Sequence, residues 1–217
     1  GRIRGVKRPA LCTVLPAPSQ KVLLCDCGAN ADCKPEYLLQ FGQMASIYAE
    51  KVMGIAQPRV ALLNIGSEEA KGSALAQEAH ALLAAHLPTF AGNGEGTDVL
   101  SGRFDVFVAD GFTGNVCLKT IEGTAGALMG ALKGVFKKNA LTMLAAALVK
   151  DGLSGLKQSL SADSVGAAPL LGVKGACTVG HGSSNETAIK NGVLTTAAIA
   201  RAHVSDLIAQ EVQPKSA

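Results

Sequence analysis

The reading of the fold starts from FDVFVADGFTGNVCLK, residues 104–119. Phe104, Val106 and Val108 alternate with Asp105 and Phe107, and Ala109 ends an apolar run suited to a buried strand. Polar chemistry begins where that strand stops, with Asp110, Gly111, Thr113, Gly114 and Asn115. The Ala-rich apolar segment beyond reads as a helix. A strand feeding a glycine-containing turn and then a helix gathers backbone N–H groups and a helix N-terminus at one point, which suits an anion. One such turn is weak evidence, because many α/β loops use glycine for geometry alone. Its weight comes from repetition. At least four other strand-like runs here end in polar, glycine-containing loops, and open α/β sheets collect ligands at strand ends.

Toward the amino terminus, residues 21–27 (KVLLCDC) form a strand that empties into Gly28, Ala29, Asn30, Ala31 and Asp32. Before it, Ala10, Leu11 and Val14 mark a buried strand over residues 9–15, closed by Pro16. Residues 1–8 (GRIRGVKR) lack an initiator Met and read like the middle of a sequence. A fragment, or a start after a removed segment, is the expectation. Pro35 suits a helix start, and Tyr37, Leu38, Phe41, Met44, Ala45, Tyr48 and Val52 follow at helical spacing. Residues 59–65 (RVALLNI) are a further strand, exiting into GSEEAKG at 66–72. Ser73 suits the cap of a helix over 74–86, with Leu75, Ala79, Leu82 and Leu83 inward and His80 and His86 in structural roles. A short strand at 88–91 runs into the loop Gly92, Asn93, Gly94, Glu95 and Gly96.

Residues 126–168 depart from this rhythm. Lys133, Lys137 and Lys138 cluster on one arc, while Leu128, Leu132, Val135, Phe136, Leu141, Leu144 and Leu148 occupy others. A second amphipathic piece over 153–160 is joined at Lys150, Asp151 and Gly152. Such a pair suits a dimer interface, a membrane surface or an ordinary helical hairpin. The last strand, 175–179, leads through Gly180, His181, Gly182, Ser183, Ser184 and Asn185 into a helix over 186–210. The order β-α-β-α-β-β-α…β-α predicts a three-layer α/β sandwich with a mainly parallel sheet. Its core is expected over 1–125 and 169–217, with the helical pair over 126–168 protruding.

Composition narrows the function. A formal charge of +3 and 4% aromatic residues argue against a nucleic-acid partner. The six cysteines sit in apolar or strand-like contexts. Cys25, Cys27 and Cys33 have no paired CxxC and no nearby His to complete a zinc set, so they read as small buried residues in a reducing cytosol. The apolar stretch over 140–149 is too short to span a bilayer. No GxSxG elbow and no Walker A lysine motif is present. What remains is a set of polar groups at strand ends: Asp26, Asn30, Asn64, Glu68, Glu69, Lys71, Asn93, Glu95, Asp110, Thr113, Asn115, His181, Ser183, Ser184 and Asn185. Lys71 precedes a helix, so its charge and that helix's N-terminus favour the same anion, although a solvated loop lysine has the same spacing.

The segments CDCGANADCKPEYLLQF, VALLNIGSEEAKG, GNGEG, VADGFTGNVCLKT and AAPLLGVKGACTVGHGSSN occur in this order. Together they resemble the bacterial phosphate acyltransferase family (PlsX), over nearly the whole chain up to about Asn191. The resemblance implies acyl phosphate formation from acyl-acyl-carrier-protein and inorganic phosphate, for phospholipid synthesis. It also implies a fold related to phosphotransacetylases and the isocitrate-dehydrogenase group, a homodimer, and a cytoplasmic location with peripheral contact at the inner face of the membrane. No metal or cofactor is expected. In the matching loops Lys71 and Asn115 fall at the reaction centre, and the helices over 126–168 become the dimer-and-membrane element. Lys133, Phe136, Lys137 and Lys138 are its candidate membrane or carrier contacts. The family's amino-terminal region, with its own glycine- and aspartate-containing loop, has no counterpart here, and Cys25 and Cys27 stand where apolar residues are expected.

Phosphate is already a nucleophile, which fits the absence of a serine or cysteine elbow. Lys71 is assigned to phosphate charge and to the oxyanion, and Asn115 with the amides of residues 111–114 to orienting phosphate or donating to that oxyanion. Asn30, Asn64, Glu68, Asn93, Asp110, Gly111, Thr113, Gly114, His181 and Ser183 are expected around the substrates, His181 as a candidate proton donor to the leaving thiolate. The alternatives are a phosphotransacetylase-like enzyme using a coenzyme A thioester, a related dehydrogenase, which the lack of a GxGxxG-type turn disfavours, and a non-catalytic remnant that keeps dimerisation and membrane binding.

Overall fold

Successive residues of β2 (Lys21–Cys25), β3 (Val60–Leu63) and β5 (Val106–Val108) turn to opposite faces of one sheet. Leu23, Cys25, Val60, Leu62, Val106 and Val108 enter the larger core, packed by α1 (Pro35–Lys51), α2 (Ala74–His86) and α7 (Val204–Glu211). Val22, Leu24, Ala61 and Phe107 enter a smaller one, against which Cys117, Leu118 and Ile121 of α3 (Gly111–Phe136) pack. Both faces are covered, so these strands are apolar throughout, as parallel strands between helices are. The structure, a computed structural model, describes residues 1–18, 20–159, 166–182 and 184–212.

With β1 (Ala10–Pro16), β4 (Phe90–Gly94), β6 (Ala168–Leu171) and β7 (Thr178–Val179), the described strands form one sheet in the order β4-β3-β5-β2-β1-β6-β7. Pairs β2·β5, β3·β5 and β3·β4 are parallel, whereas β1·β2, β1·β6 and β6·β7 are antiparallel. Only β1 and β7 therefore run against the rest. The mainly parallel α/β architecture is the one expected.

Four local expectations are corrected. Residues 92–94 belong to a strand rather than a loop: Phe90 N–H bonds the Leu87 carbonyl, delaying β4 until Phe90. Gly92 at φ +103° accompanies a register shift there, and Gly94 packs against the Phe107 ring, where a Cβ would stand 2.6 Å from Cε1. β6 was hidden because Pro169, which has no N–H, reads as a breaker in a four-residue run. Residues 150–152 open α5 (Lys150–Ser159) instead of joining two helices, after α4 (Ala140–Leu148). The closing helix is two: α6 (Glu186–Arg201) and α7, broken where His203 takes φ 51° without a Gly or Pro to announce it. α3 itself runs unbroken across residues 125 and 126.

Candidate active site

Register aligns the loops before any side chain is considered. Leu62 pairs with Val108, Cys25 with Val108, and Leu63 with Gly94. The parallel strands β2, β3, β4 and β5 therefore end along one edge, and they deliver residues 26–30, 64–72, 95–98 and 110–114 to it.

Asp26 organises the first of these loops. Its fully buried carboxylate accepts from the N–H groups of Leu11 (3.0 Å), Gly28 (3.2 Å), Ala29 (3.1 Å) and Asn30 (2.8 Å), and from Asn30 Nδ2 at 2.9 Å. Asn30 Nδ2 also donates to the Pro9 carbonyl at 2.8 Å. The start of α3 sits against this loop. Gly111 has no room for a Cβ, which would stand 2.7 Å from the Asn30 carbonyl oxygen, and Gly114 faces the Asp26 carbonyl even more tightly. Asp110 caps α3, accepting from Thr113 N–H at 2.8 Å and from Thr113 Oγ1 at 2.7 Å.

These bonds revise one expectation. The amides of Gly111, Thr113 and Gly114 are already engaged, by the Asn30 carbonyl (2.7 Å), the Asp110 carboxylate and the Asp110 carbonyl (2.9 Å). An anion at the start of α3 would meet the helix dipole and side chains rather than those three N–H groups.

The 64–72 loop is pinned through its carbonyls. Asn93 Nδ2 donates to Glu68 O at 2.8 Å, Gln77 Nε2 to Ala70 O at 2.7 Å, and Asn64 Nδ2 to Lys71 O at 3.1 Å. Lys71 N–H closes a turn on Glu68 O at 3.1 Å. The Lys71 stem lies over Gly66, where a Cβ would come 2.8 Å from Lys71 Cγ. The amides of Asn30, Asn64 and Asn93 are thus spent on structure. Among the described residues, Lys71 Nζ and the Asn115 amide have no hydrogen-bond or ion-pair partner. Both side chains are exposed, as are Glu68 and Thr113.

Other expected site residues lie elsewhere. β7 runs against β2, so the loop holding His181 leaves the sheet at the edge where the parallel strands begin. There His181 lines a groove of about 710 Å³ beside α6, with Thr178, Ile189 and Val193. Ser183 lies outside the described residues, as does residue 160 at the end of the second amphipathic piece. Lys133, Lys137 and Lys138 are exposed near the end of α3, with Phe136 half-buried. Val135 on α3 (59% exposed) and Leu141 (75%) and Leu148 (81%) on α4 also face outward. No helix among the described residues is long and apolar enough to cross a membrane. No described group of His, Cys, Asp or Glu could hold a metal ion.

Two residues of this edge were not among the expected site residues: His80, read in a structural role, and Gln77, not singled out. Gln77 and His80 share a face of α2, three residues apart, which is the only signal that was available for either. His80 is buried, with Nδ1 2.9 Å from Asn93 Oδ1, Nε2 4.0 Å from Glu69, and its ring edge-on to Phe90.

The fold and this edge together define an α/β protein with a candidate anion site at the carboxyl ends of parallel strands. A family profile described as "Fatty acid synthesis protein" matches residues 1–207, and the chain belongs to that family. Similar proteins, each named phosphate acyltransferase, come from Elusimicrobium minutum (50% identical over 195 residues), Alkaliphilus oremlandii (50% over 193) and Campylobacter jejuni subsp. doylei (43% over 212). The matches cover 90%, 89% and 98% of this chain but 57%, 58% and 64% of those relatives. Among solved structures, EutD phosphotransacetylase from Staphylococcus aureus aligns with a TM-score of 0.48 at 19% identity, over 58% of this chain and 44% of that one.

Proposed function

We propose that this chain transfers an acyl group from acyl-acyl-carrier-protein to inorganic phosphate, forming acyl phosphate for phospholipid synthesis. A phosphate oxygen attacks the thioester carbonyl, the C–O bond forms, the C–S bond breaks, and the thiolate leaves. Such a reaction asks the protein for charge and orientation rather than for a nucleophile. The observation that carries the reading is selective freedom. At an edge where the asparagine amides of residues 30, 64 and 93 are spent on structure, Lys71 in the loop after β3 and Asn115 in the first turn of α3 keep free donors. Lys71 supplies charge to phosphate and to the developing oxyanion, and Asn115 donates to one of them. Asn30, Asn64, Asn93, Asp110, Gly111, Thr113 and Gly114 shape the edge, and Glu68 flanks Lys71. The name carried by the relatives supports the same chemistry.

The test is phosphate-dependent release of free thiol from acyl-acyl-carrier-protein. Lys71→Ala and Asn115→Ala should each lower it by ~100-fold or more, the usual effect of removing one oxyanion donor. Full activity in both variants would sink the assignment. Turnover of acyl-coenzyme A in place of the carrier-protein thioester would move the reading to a phosphotransacetylase-like enzyme. Because the chain spans under two thirds of its relatives, a chain without turnover that still binds vesicles would support the remnant reading.

Contact with a membrane and formation of a homodimer belong to the same proposal. Leu141, Leu144 and Leu148 on α4 are exposed, as are Lys133, Lys137 and Lys138 just before it in the chain, a combination suited to an anionic bilayer or an acidic carrier protein. A protein acting in this way would work in the cytoplasm, at the inner face of the membrane.

A further inference from the structure

His80 does no work in the acyl-transfer reading, yet it is buried and its bonds lead to the Lys71 turn. Asn93 stands between a ring nitrogen and a carbonyl. One end of its side chain is 2.9 Å from His80 Nδ1, and the other is 2.8 Å from Glu68 O. A carbonyl only accepts, so the NH2 group must face Glu68 and the amide oxygen must face His80. His80 therefore carries its proton on Nδ1 and donates to Asn93 Oδ1. The alternative amide orientation would set two oxygens against each other. Glu68 O also accepts the Lys71 N–H at 3.1 Å, so the chain of bonds ends on the backbone of Lys71 itself.

We propose that His80 is a positioning residue for Lys71: by orienting the Asn93 amide it holds the 68–71 turn and aims the lysine at the anion site. This deepens the acyl-transfer reading and rests on it for the role of Lys71. The device does not depend on the charge state of the imidazole, because the neutral Nδ1–H form and the cation both donate from Nδ1. Glu69, 4.0 Å from Nε2, sits on the other side of the ring and is largely exposed. Asn93 comes from β4 and His80 from α2, so the bond also ties the loop to two elements that flank it.

Two substitutions separate this role from packing. His80→Phe keeps a ring against Phe90 but has no donor. His80→Asn is much smaller, yet its amide NH2 can occupy the place of Nδ1. A packing role makes Phe the milder change, whereas a positioning role makes Asn the milder one. His80→Phe should lower kcat/KM for phosphate by ~10- to 100-fold, the scale of a misplaced catalytic group, with His80→Asn restoring most of it. In a Lys71→Ala background the effect of His80→Phe should vanish, because nothing remains to be aimed. Amide hydrogen exchange at Lys71 gives a readout independent of turnover: protection should fall in His80→Phe and persist in His80→Asn.

Additive losses in the double variant, or a milder effect of Phe than of Asn, would overturn the proposal. Full activity in Lys71→Ala would instead refute the acyl-transfer assignment, and the exchange ordering would still decide whether His80 holds the turn. In a chain without turnover, equal Lys71 protection in all three proteins overturns it.

Discussion

Gly114 lies against the carbonyl of Asp26 so closely that a methyl group on its α-carbon would overlap the oxygen. The first turn of α3 and the loop after β2 are therefore joined backbone to backbone. Gly114→Ala should force them apart. Overpacking of this kind costs about 1–3 kcal/mol, and for a chain of this size each kcal/mol lowers Tm by roughly 2–4 °C. Thermal unfolding measures the cost. Thiol release should fall as well, since Asn115 is carried on the displaced turn. An unchanged Tm would show that the loop gives way freely.

At the opposite edge of the sheet, Asp105 accepts from Arg59 Nε and backbone N–H (2.9 and 2.8 Å) and from Gln20 Nε2 at 3.2 Å. Burial pushes its carboxyl up, but the Arg59 and Gln20 hydrogen bonds outweigh it and hold the group below its ordinary 3.8. A depressed folded-state pKa contributes stability that is present above the unfolded value and lost as pH falls through the folded one. The Tm difference between the unaltered chain and Asp105→Asn should therefore be constant above pH ~5 and shrink below pH ~4. A gap that widens toward acid would contradict the pairing.

Burial also governs the thiols. It pushes Cys12 well up, lifts Cys27 from 9.0 to about 12 and Cys33 to about 11, with neighbouring Cys25 and Asp26 adding to the lift at Cys27. For Cys27 this lowers the thiolate population at neutral pH roughly a thousandfold, and the thiolate is the reactive form. Iodoacetamide followed by peptide mapping should label half-buried Cys177 well before Cys12 or Cys27, and all six cysteines once the chain is unfolded. Rapid native labelling of Cys27 would mean that the smaller core opens readily.

The exposed lysines at the end of α3 have a separable role in the proposal. Replacing Lys133, Lys137 and Lys138 together by Glu should abolish sedimentation with phosphatidylserine vesicles, since each basic residue near such a surface contributes about 1 kcal/mol. Turnover with a short, soluble thioester should stay unchanged, and added salt should weaken vesicle binding of the unaltered chain. Binding that survives charge reversal would assign membrane contact to the apolar residues alone.

Much of the molecule was legible before folding. The helix over residues 74–86 begins where Ser73 caps it, because hydrophobic spacing and capping are read within one turn. The apolar runs of β2, β3 and β5 were enough to read strands, and the fold buries both of their faces. The ordered motifs were enough to recognise the family. Tertiary structure alone decided which polar groups are free. Asn30, Asn64 and Asn93 look as available as Asn115 in the sequence, yet three are bonded and one is not. The direction of β7 placed His181 away from the other loops, and His80 gained its meaning only when β4 brought Asn93 beside it. Arg59 and Asp105 likewise meet across 46 residues. Periodicity and caps are short-range properties of a chain. The partner of a polar side chain is set by strand order, direction and register, which no local stretch encodes.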